Sequence, residues 1–321
     1  SRQKWPCLLH NLSMLMINVD LVPSMRCSKC RRPAVLFQRY SGLHLCREHF
    51  LADFEAKAKR AIRENRWISP GDTIAVAFSG GKDSGALLLF LHSLLSLRRD
   101  VSLLAITVDE GIFGYRDTAV ARARAAELDI PHVAASFREA YGTTVDGIVE
   151  RKGGKLSCSY CGVLRRHLLN AVARNEGATK LALGFNLDDE AQTVLMNVLR
   201  GDTARLLRGA HPVPGMVPRI KPFSTIPERE VALYSYLYMG TVETGRCPYS
   251  HNAMRAEVRQ MLNTYAWNHP SARFALVNLG RELGTLGAGA CGVLQACPRC
   301  GEPCGATCRS CEILSEVLDG R

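Results

Sequence analysis

A short glycine-rich segment, residues 78–84 with the sequence FSGGKDS, constrains the fold of this chain more than any other feature. The residues before it, 72–78, predict a buried strand, and those after it, 85–91, predict an apolar helix. A strand, a glycine-rich turn and a helix N-terminus form a cradle for an anion. Glycines let the backbone approach a phosphate, and the free N–H groups and the helix dipole favour negative charge. Lys82 adds a positive charge at the same place.

The spacing excludes the phosphate-binding loop of Walker-type NTPases, which needs G-x-x-x-x-G-K-[ST]. Gly81-Lys82 is followed by Asp83, and position 76 holds valine where that loop needs glycine. The segment instead resembles the PP-loop, S-G-G-x-D-S, of the ATP pyrophosphatases. Those enzymes cleave ATP between the α- and β-phosphates, activate a substrate oxygen with AMP and release pyrophosphate. The resemblance implies six ATP-binding residues: Ser79, Gly80, Gly81, Lys82, Asp83 and Ser84.

Length and composition favour one large globular domain with smaller modules attached. The chain has 321 residues, 47% of them apolar, and it contains no run of about 18 uncharged apolar residues that would predict a membrane span. Polar residues such as Asn18 and Asp20 interrupt the first apolar segment, so we expect no signal peptide, a cytoplasmic protein and an N-terminal extension over residues 1–24. The formal net charge of +11 predicts a polyanionic partner, with a solvated basic surface as the alternative.

Short apolar segments alternate with helical ones along the middle of the chain. Strands are expected at 72–78, 101–108, 131–137 and 180–185, with helices between them. This alternation predicts an α/β protein with a doubly wound parallel sheet, in which ligands bind at the carboxyl ends of the strands. Further helices are expected at 50–66, 117–128, 188–200, 227–238 and 253–267. The proline-rich stretch 211–222 is either a substrate-facing loop or a crossover.

Several residues follow these strands directly and are candidates for contact with one nucleotide. Main-chain groups around Ile106 and Thr107 are candidates for adenine recognition. The segment Asn186-Leu187-Asp188-Asp189-Glu190 follows the fourth strand, and a carboxylate there would hold Mg²⁺ or orient a uracil oxygen. An acidic helix N-terminus, favoured by the helix dipole, is the simpler alternative. The candidate ATP contacts outside the loop are Thr107, Asp109, Gly184 and Asp189.

The thirteen cysteines fall mainly into three sets, which favour metal ligation or catalysis over disulfides in a chain without a secretory signal. Two sets have the paired spacing of closed tetrahedral zinc sites. The first set is Cys27, Cys30, Cys46 and His49, and the last is Cys297, Cys300, Cys308 and Cys311. Basic and aromatic residues between the first pairs give that zinc ribbon a face suited to nucleic acid, or a purely structural role. Cys304 is an additional thiol that would be able to replace a ligand, and Cys7 and Cys291 lie outside the sets.

The central set is different. Cys158-x-x-Cys161 opens a helix, and Cys247 has no local partner because Ser250 stands where a second C-x-x-C would close. Three cysteines without a fourth suggest an iron–sulfur cluster with one open iron that is able to hold sulfide. A structural zinc site with His251 or another fourth ligand is the alternative.

The ordered set of motifs, from about residue 25 to residue 311, resembles the TtuA/NcsA family of tRNA 2-thiouridine synthetases. Relatives of that family are the TtcA enzymes and the eukaryotic cytosolic thiouridylase subunit. The resemblance implies a PP-loop fold, a homodimer, two zinc ions, Mg²⁺, and a [4Fe–4S] cluster on Cys158, Cys161 and Cys247. It also implies a catalytic aspartate, for which we favour Asp189 over Asp188, and a catalytic basic residue, matched here by Arg165. The expected domains are an extension (1–24), a zinc ribbon with a linking helix (25–66), a catalytic domain (67–290) and a second zinc ribbon (291–321).

The family implies the following reaction. Lys82, the loop and Mg²⁺ orient ATP, and O2 of a tRNA uridine attacks the α-phosphate and releases pyrophosphate. Sulfur then displaces AMP from C2, either from the open iron or from a persulfide on Cys158 or Cys247. Free sulfide or the thiocarboxylate of a ubiquitin-like carrier supplies the sulfur. The 22% of charged residues and eight methionines argue against a hyperthermophile and favour U34 over U54.

Two other functions remain open from the sequence. One is a different adenylating PP-loop enzyme, such as a lysidine synthetase or an amide ligase. The other is a zinc-containing RNA-binding protein without catalysis.

Overall fold

The structure is a computed structural model that describes residues 25–154, 157–208, 215–240, 247–249, 254–287, 295–305 and 307–318. The chain divides between Ala56 and Lys57 into two compact units. The predicted extension 1–24, the alternative ligand His251 and the outlying thiols Cys7 and Cys291 lie outside the described residues, as does the start of the proline-rich stretch.

The first unit contains a two-stranded antiparallel sheet followed by the start of a long helix. Strand β1 (Leu36–Gln38) pairs with β2 (Leu43–Leu45), and helix α1 (Arg47–Glu64) begins directly after Cys46, the first residue of the second predicted zinc-ligand pair. Phe50 and Phe54 on α1 are fully buried. The helix starts three residues earlier than predicted, because His49 and its neighbours already belong to its first turn.

The second unit is built on a five-stranded sheet in which every pairing is parallel. Its strands are β3 (Thr73–Ala77), β4 (Ser102–Asp109), β5 (His132–Ser136), β6 (Lys180–Ala182) and β7 (Arg219–Ile220), in the order β5-β4-β3-β6-β7. The predicted doubly wound parallel sheet is therefore confirmed. The direction of winding reverses between β3 and β6, and a ligand crevice is expected at such a switch point.

Within the five-stranded sheet, β7 is the strand that the sequence analysis missed. It contains two residues and lies in the proline-rich stretch, too short to give an alternating or continuous apolar pattern. Its presence shows that this part of the stretch is an ordered crossover against the sheet.

Helices cover both faces of this sheet. Helix α2 (Lys82–Leu95) starts inside the glycine-rich segment, three residues earlier than its apolar run. The others in this region are α3 (Thr118–Glu127), α4 (Phe137–Tyr141), α5 (Val145–Lys152), α6 (Ser157–Asn175), α7 (Leu187–Leu199), α8 (Thr203–Arg208), α9 (Glu228–Met239), α10 (Met254–Asn268) and α11 (Ala272–Leu286). The C-terminal part adds strands β8 (Gln295–Ala296) and β9 (Pro303–Cys304) and helix α12 (Arg309–Leu318).

The main apolar core lies between the sheet and helices α5 and α6, and it includes Ile106, Leu164 and Ile313. Helix α12 thus packs into the same core as the sheet. Among the described helices none is both long enough and apolar enough to cross a membrane.

Candidate active site

The glycine-rich segment forms a closed turn between β3 and α2. Gly80 has a φ of +78°, in the left-handed region that favours glycine. The N–H of Ser79 donates to Ser84 Oγ at 3.1 Å, and Ser84 Oγ in turn donates to the carbonyl of Gly81 at 3.1 Å. Gly81 is the N-cap residue of α2 and has no side chain to cap it. The first N–H groups of the helix therefore have no side-chain cap from Gly81, and a phosphate would be able to accept hydrogen bonds from such groups.

Lys82 lies between two carboxylates. Its Nζ donates to Asp83 Oδ2 at 2.6 Å and to Glu228 Oε1 at 2.9 Å. Burial opposes the charge, but the two carboxylates together raise the pKa of Lys82 above its ordinary value, so the ammonium group stays charged. Arg259 on α10 pairs with the other oxygen of Glu228. Sequence reasoning missed Glu228, which lies far along the chain from the loop and belongs to no local motif.

The loop that follows β6 lies directly against the start of α2. A Cβ atom on Gly184 would lie 3.0 Å from the carbonyl oxygen of Asp83 and 3.2 Å from the backbone nitrogen of Ser84. Asn186 Nδ2 donates to Asp83 Oδ1 at 3.4 Å. The predicted nucleotide residues after β3 and β6 are therefore neighbours at the switch point, and glycine at position 184 permits their close approach.

The two adjacent aspartates after β6 make different contacts. Asp189 closes a capping box at the start of α7: its Oδ2 accepts from the N–H of Asn186 at 3.3 Å. Burial raises the pKa of Asp189 to about 6, with further contributions from Asp83 and Glu228. Asp188 instead pairs with Arg273 at 2.6 Å and accepts from the N–H of Glu228 at 2.8 Å. Asp188 thus joins α7, α9 and α11, whereas Asp189 lies among the carboxylates of the loop.

Thr107 and Asp109 lie at the carboxyl end of β4, as the sequence predicts for them. Thr107 Oγ1 donates to the carbonyl of Phe78 at 2.7 Å and lies 2.8 Å from His132 Nε2, which must then be the donor in that pair. Asp109 Oδ1 accepts from the N–H of Gly111 at 2.8 Å. Thr107 therefore connects the start of the glycine-rich loop to β4. Its hydroxyl proton is donated to the carbonyl of Phe78, so the side chain has no second proton to donate to a ligand.

The three central cysteines come from two segments of the chain. Cys158 and Cys161 lie in the first turns of α6, with Cys158 exposed and Cys161 partly buried, and Cys247 lies in the short segment 247–249. Cys158 Sγ donates to the carbonyl of Tyr249 at 3.2 Å. Burial raises the pKa of the Cys161 thiol to about 11, against the opposing charge of Arg165. Burial also raises the pKa of Cys247.

Segment 247–249 is fastened through Tyr249. Its hydroxyl donates to Asp146 Oδ1 at 2.6 Å, and Asp146 Oδ2 accepts from the N–H of Phe113 at 2.8 Å. Cys247 is thereby held near α6 although it is distant from Cys158 in sequence. Unlike the two outer cysteine sets, these three thiols are not among the described groups whose ligand atoms all lie within 4.8 Å of one another. A cluster bound through three cysteines therefore stays a prediction from the sequence.

A buried carboxylate orients the basic residue after Cys161. Glu110, 2% exposed, accepts through Oε1 from Arg165 at 3.1 Å and from Arg116 at 2.9 Å. Arg165 is therefore held in place beside Cys161 rather than free in solvent. The sequence analysis assigned no role to Glu110. Its position at the carboxyl end of a central strand was the available signal.

Both outer cysteine sets form compact groups whose ligand atoms lie within 4.8 Å of one another. In the first, His49 Nδ1 is 3.3 Å from Cys27 Sγ and 3.4 Å from Cys46 Sγ. In the second, Cys297 and Cys311 are 3.7 Å apart at sulfur, and Cys300 and Cys308 are 3.6 Å apart. Tetrahedral zinc with Zn–S distances of about 2.3 Å places sulfurs about 3.8 Å apart, so both groups suit a metal ion. Cys304 lies outside the second group.

Comparison with known proteins agrees with these features. Residues 26–51 match the family described as the N-terminal LIM domain of the 2-thiouridine synthetase TtuA, and residues 51–262 match the PP-loop domain family. The tRNA 2-thiolation protein NcsA of Haloferax volcanii is 37% identical over 319 residues, covering 91% of this chain and 99% of the relative. The cytoplasmic tRNA 2-thiolation protein 1 of Danio rerio is 36% identical, covering 92% and 89%.

A solved structure is also similar: the U34-tRNA thiolase NcsA from Methanococcus maripaludis with its [4Fe-4S] cluster. It has a TM-score of 0.79 and 32% sequence identity, and the match covers 92% of this chain and 97% of that one. Because the PP-loop family matches well over half of the chain and the Haloferax relative covers nearly all of it, this chain belongs to the TtuA/NcsA family of tRNA 2-thiouridine synthetases.

Proposed function

We propose that this protein is an ATP-dependent tRNA-uridine 2-sulfurtransferase that converts U34 to 2-thiouridine. The observation that carries the proposal is the presence of a PP-loop and a separate three-cysteine site in a chain that aligns over 91% of its length with a tRNA 2-thiolation protein. Two observations support U34 as the target: the composition of the chain, and its similarity to the U34-tRNA thiolase from Methanococcus maripaludis.

The chemistry requires activation before sulfur can be introduced. A uracil carbonyl oxygen is a poor leaving group, so O2 first attacks the α-phosphate of ATP and pyrophosphate leaves. Sulfur then forms a bond to C2, and the former O2 departs as part of AMP. The PP-loop backbone and Lys82 would bind the phosphates and stabilise the charge that develops on the departing pyrophosphate.

The carboxylates around Lys82 suit a magnesium site. Asp83, Asp189 and Glu228 lie close enough to influence one another, and their mutual repulsion helps to raise the pKa of Asp189 to about 6. A divalent cation would relieve that repulsion, and Mg²⁺ prefers one or two carboxylates together with substrate phosphates. Asp189, with Asp83, would hold the ion, and Lys82 would exchange its carboxylate partners for phosphate oxygens when ATP binds.

The cysteine site suits sulfur transfer. Cys158, Cys161 and Cys247 would hold a [4Fe–4S] cluster, which when bound supplies an open iron for sulfide. The positive charge of Arg165, fixed by Glu110, would stabilise negative charge on the sulfur donor or the leaving AMP.

The remaining components follow from the family and from the relatives. The two compact ligand groups would each hold a zinc ion in a closed structural site. We propose a homodimer that works in the cytoplasm, since the eukaryotic relatives are named cytoplasmic tRNA 2-thiolation proteins. Free sulfide or a carrier thiocarboxylate would supply the sulfur. The domain limits proposed from the sequence, 25–66, 67–290 and 291–321, are retained as proposals.

The decisive experiment uses full-length protein purified without oxygen, as wild type and as Cys247→Ala. Wild type should contain about four irons per chain in addition to zinc, absorb visible light, and form 2-thiouridine on an unmodified tRNA transcript with ATP and sulfide. The variant should lose the iron and the thiolation, and a transcript with cytidine at position 34 should stay unmodified. Thiolation without iron would show that sulfide reaches C2 without the cluster, and would contradict the cluster's proposed role. Absence of thiouridine in wild type that contains iron would contradict the proposed function.

A further inference from the structure

The two adjacent arginines on α6 have different surroundings. Arg165 is paired with the buried carboxylate of Glu110. Arg166 stays exposed to solvent, and within the described residues it makes neither an ion pair nor a hydrogen bond. Its guanidinium folds back toward the N-terminus of the helix, where Nη1 would lie 3.4 Å from a Cβ on Gly162. Gly162 and Cys158 are one and two turns before Arg166 on the same stripe of α6.

The chain leading into β7 runs beside the stripe of α6 that continues from Arg166. Arg174 donates to the carbonyl of Gly215 at 3.4 Å, and Asn170 accepts from the N–H of Val217 at 2.9 Å. Two residues of the extended segment before β7 advance about 6.6 Å, and one turn of α6 advances about 5.4 Å. Every second residue of the segment therefore stays close to successive turns of the helix. Continued by one step, this register brings Arg219 to the level of Arg166, and the charge of Arg219 acts on Arg166.

Arg219 and Arg166 therefore form a like-charge pair, and Arg205 on α8 adds a third cation. Although the Arg166 side chain is exposed, the protein around it removes part of its hydration, and Arg219, Arg165 and Arg205 add repulsion. Together these effects lower the pKa of Arg166 to about 10, so it remains charged at neutral pH. Burial also lowers the pKa of Arg219, against the opposing effect of Glu302.

The neighbouring carboxylates are engaged elsewhere. Glu302 pairs with Arg174 at 2.6 Å, and Asp202 pairs with Arg205 at 3.1 Å. Among the residues that the structure describes, Arg219, like Arg166, has no carboxylate of its own within ion-pair distance. Two cations held side by side without anions leave their mutual repulsion uncompensated, which an anionic ligand would relieve.

We propose that Arg166 and Arg219, assisted by Arg205, form a docking site for backbone phosphates of the RNA substrate. Planar guanidinium groups bind phosphate oxygens in a bidentate manner. The Cα of Arg166 is about 12 Å from that of Cys158, since eight helical residues separate them. A phosphate at this site would therefore lie within a few nucleotides of the base that reacts at the cysteines. The proposal rests on the proposed function, because it assumes that the anion is RNA.

The test measures RNA affinity separately from catalysis. The metal-loaded, full-length protein is titrated with a fluorescent, unmodified tRNA transcript at several salt concentrations. Wild type is compared with Arg166→Gln, Arg219→Gln and the double variant. The control is Arg98→Gln. Arg98 lies before β4, which β3 and β6 separate from β7 in the sheet, and it pairs with Asp100. Thermal melts confirm that each variant folds.

Each substitution should flatten the slope of log affinity against log salt concentration by about 1, and the double variant should bind tRNA on the order of tenfold more weakly. Arg166→Lys keeps the charge and should keep the slope. The rate of pyrophosphate release at saturating tRNA should stay within about twofold of wild type, because phosphate docking acts on binding. Arg98→Gln should match wild type throughout.

A double variant with unchanged tRNA affinity and slope overturns the proposal. A second assay, inhibition by added pyrophosphate, tests whether the arginines bind a small anion instead. If the variants are inhibited more weakly while their tRNA binding is unchanged, the arginines bind the released product, and the proposal is overturned. A wild type that binds tRNA through these arginines but forms no 2-thiouridine would contradict the proposed function and leave the RNA docking site standing.

Discussion

The PP-loop and the three-cysteine site differ in how much of each is contained in one segment of the chain. The loop consists of six consecutive residues, and its hydrogen bonds from Ser79 to Ser84 and from Ser84 to Gly81 are internal to it. The cysteine site combines the start of α6 with segment 247–249, which are connected through the contact from Cys158 to Tyr249. The loop is thus formed by local geometry, whereas the cysteine site depends on tertiary contacts.

This difference implies that the two halves of the reaction respond independently to mutation. None of the contacts described for the loop involves a cysteine, and a bound metal cluster would strengthen a cysteine site joined by few protein contacts. Adenylation should therefore survive damage to the cysteines, and the cysteine site should survive damage to the loop. The following predictions are arranged by the size of the expected effect.

The largest effect is expected for Lys82→Ala. It removes the cation of the phosphate cradle and leaves Asp83 and Glu228 facing one another, so thiouridine formation should fall by about 10²–10³-fold. Iron content should equal that of wild type, because no cysteine contact changes. The measurements are ATP-dependent pyrophosphate release and iron analysis on the same sample.

The control for this prediction is Lys180→Ala, which removes a lysine that pairs with Asp72 at the amino-terminal edge of the sheet. It should retain activity. Loss of iron in Lys82→Ala would show that the two sites are not independent.

The sequence predicted the parts of the molecule that local patterns determine. The loop, the parallel sheet and both compact ligand groups were found from spacing, because a strand, a glycine turn or a C-x-x-C pair is a short-range feature. Strand β7 escaped because two residues give no periodicity. The predicted helix starts at 85 and 50 were late, because polar residues form the first turns of α2 and α1.

Contacts between distant segments were not predictable in the same way. Glu228 reaches Lys82 from α9, and Glu110 joins Arg165 to Arg116, but neither glutamate has a motif around it. The sequence also could not separate Asp188 from Asp189 by physical argument. Only the fold shows that Asp188 pairs with Arg273 while Asp189 faces the loop.

The second prediction concerns Asp189→Asn, which should lower thiolation by about 100-fold while raising stability at pH 7.5. Burial raises the pKa of Asp189 from 3.8 to about 6, so the folded protein binds more protons than the unfolded chain between these values. The stability contributed by this group therefore falls as pH rises through that window, by on the order of 3 kcal/mol. Asparagine does not titrate and still accepts the capping hydrogen bond.

Thermal melts without added Mg²⁺ or ATP should show an advantage for Asp189→Asn at pH 7.5 that shrinks toward pH 5. Asp100→Asn provides a control of opposite sign, because the hydrogen bond from Arg98 lowers the pKa of Asp100. An equal advantage at both pH values would show that Asp189 is not buried in its charged form.

A smaller effect is expected for Glu110→Gln, which tests the cysteine side of the comparison. The amide keeps the shape of the side chain but loses the charge that holds Arg165 and Arg116, so thiolation should fall by about tenfold. Pyrophosphate release and iron content should remain within about twofold of wild type. Glu139→Gln, on the exposed face of α4, is the matched control and should behave like wild type. A parallel loss of pyrophosphate release would assign Glu110 to the nucleotide side instead.

The smallest effect is expected for Gly184→Ala, which disturbs the contact between β6 and the loop without removing a charge. The φ of Gly184 lies outside the left-handed region, so alanine is conformationally allowed, and only the contacts at 3.0 Å and 3.2 Å with Asp83 and Ser84 oppose it. The loop must move by a few tenths of an ångström, which should raise the KM for ATP about threefold to tenfold with little change in iron content. Gly305→Ala is the control, because Gly305 also lacks a left-handed φ and would place its Cβ in open space. An unchanged KM for ATP would show that the loop tolerates displacement, and the internal hydrogen bonds of residues 79–84 would then be sufficient to keep its shape.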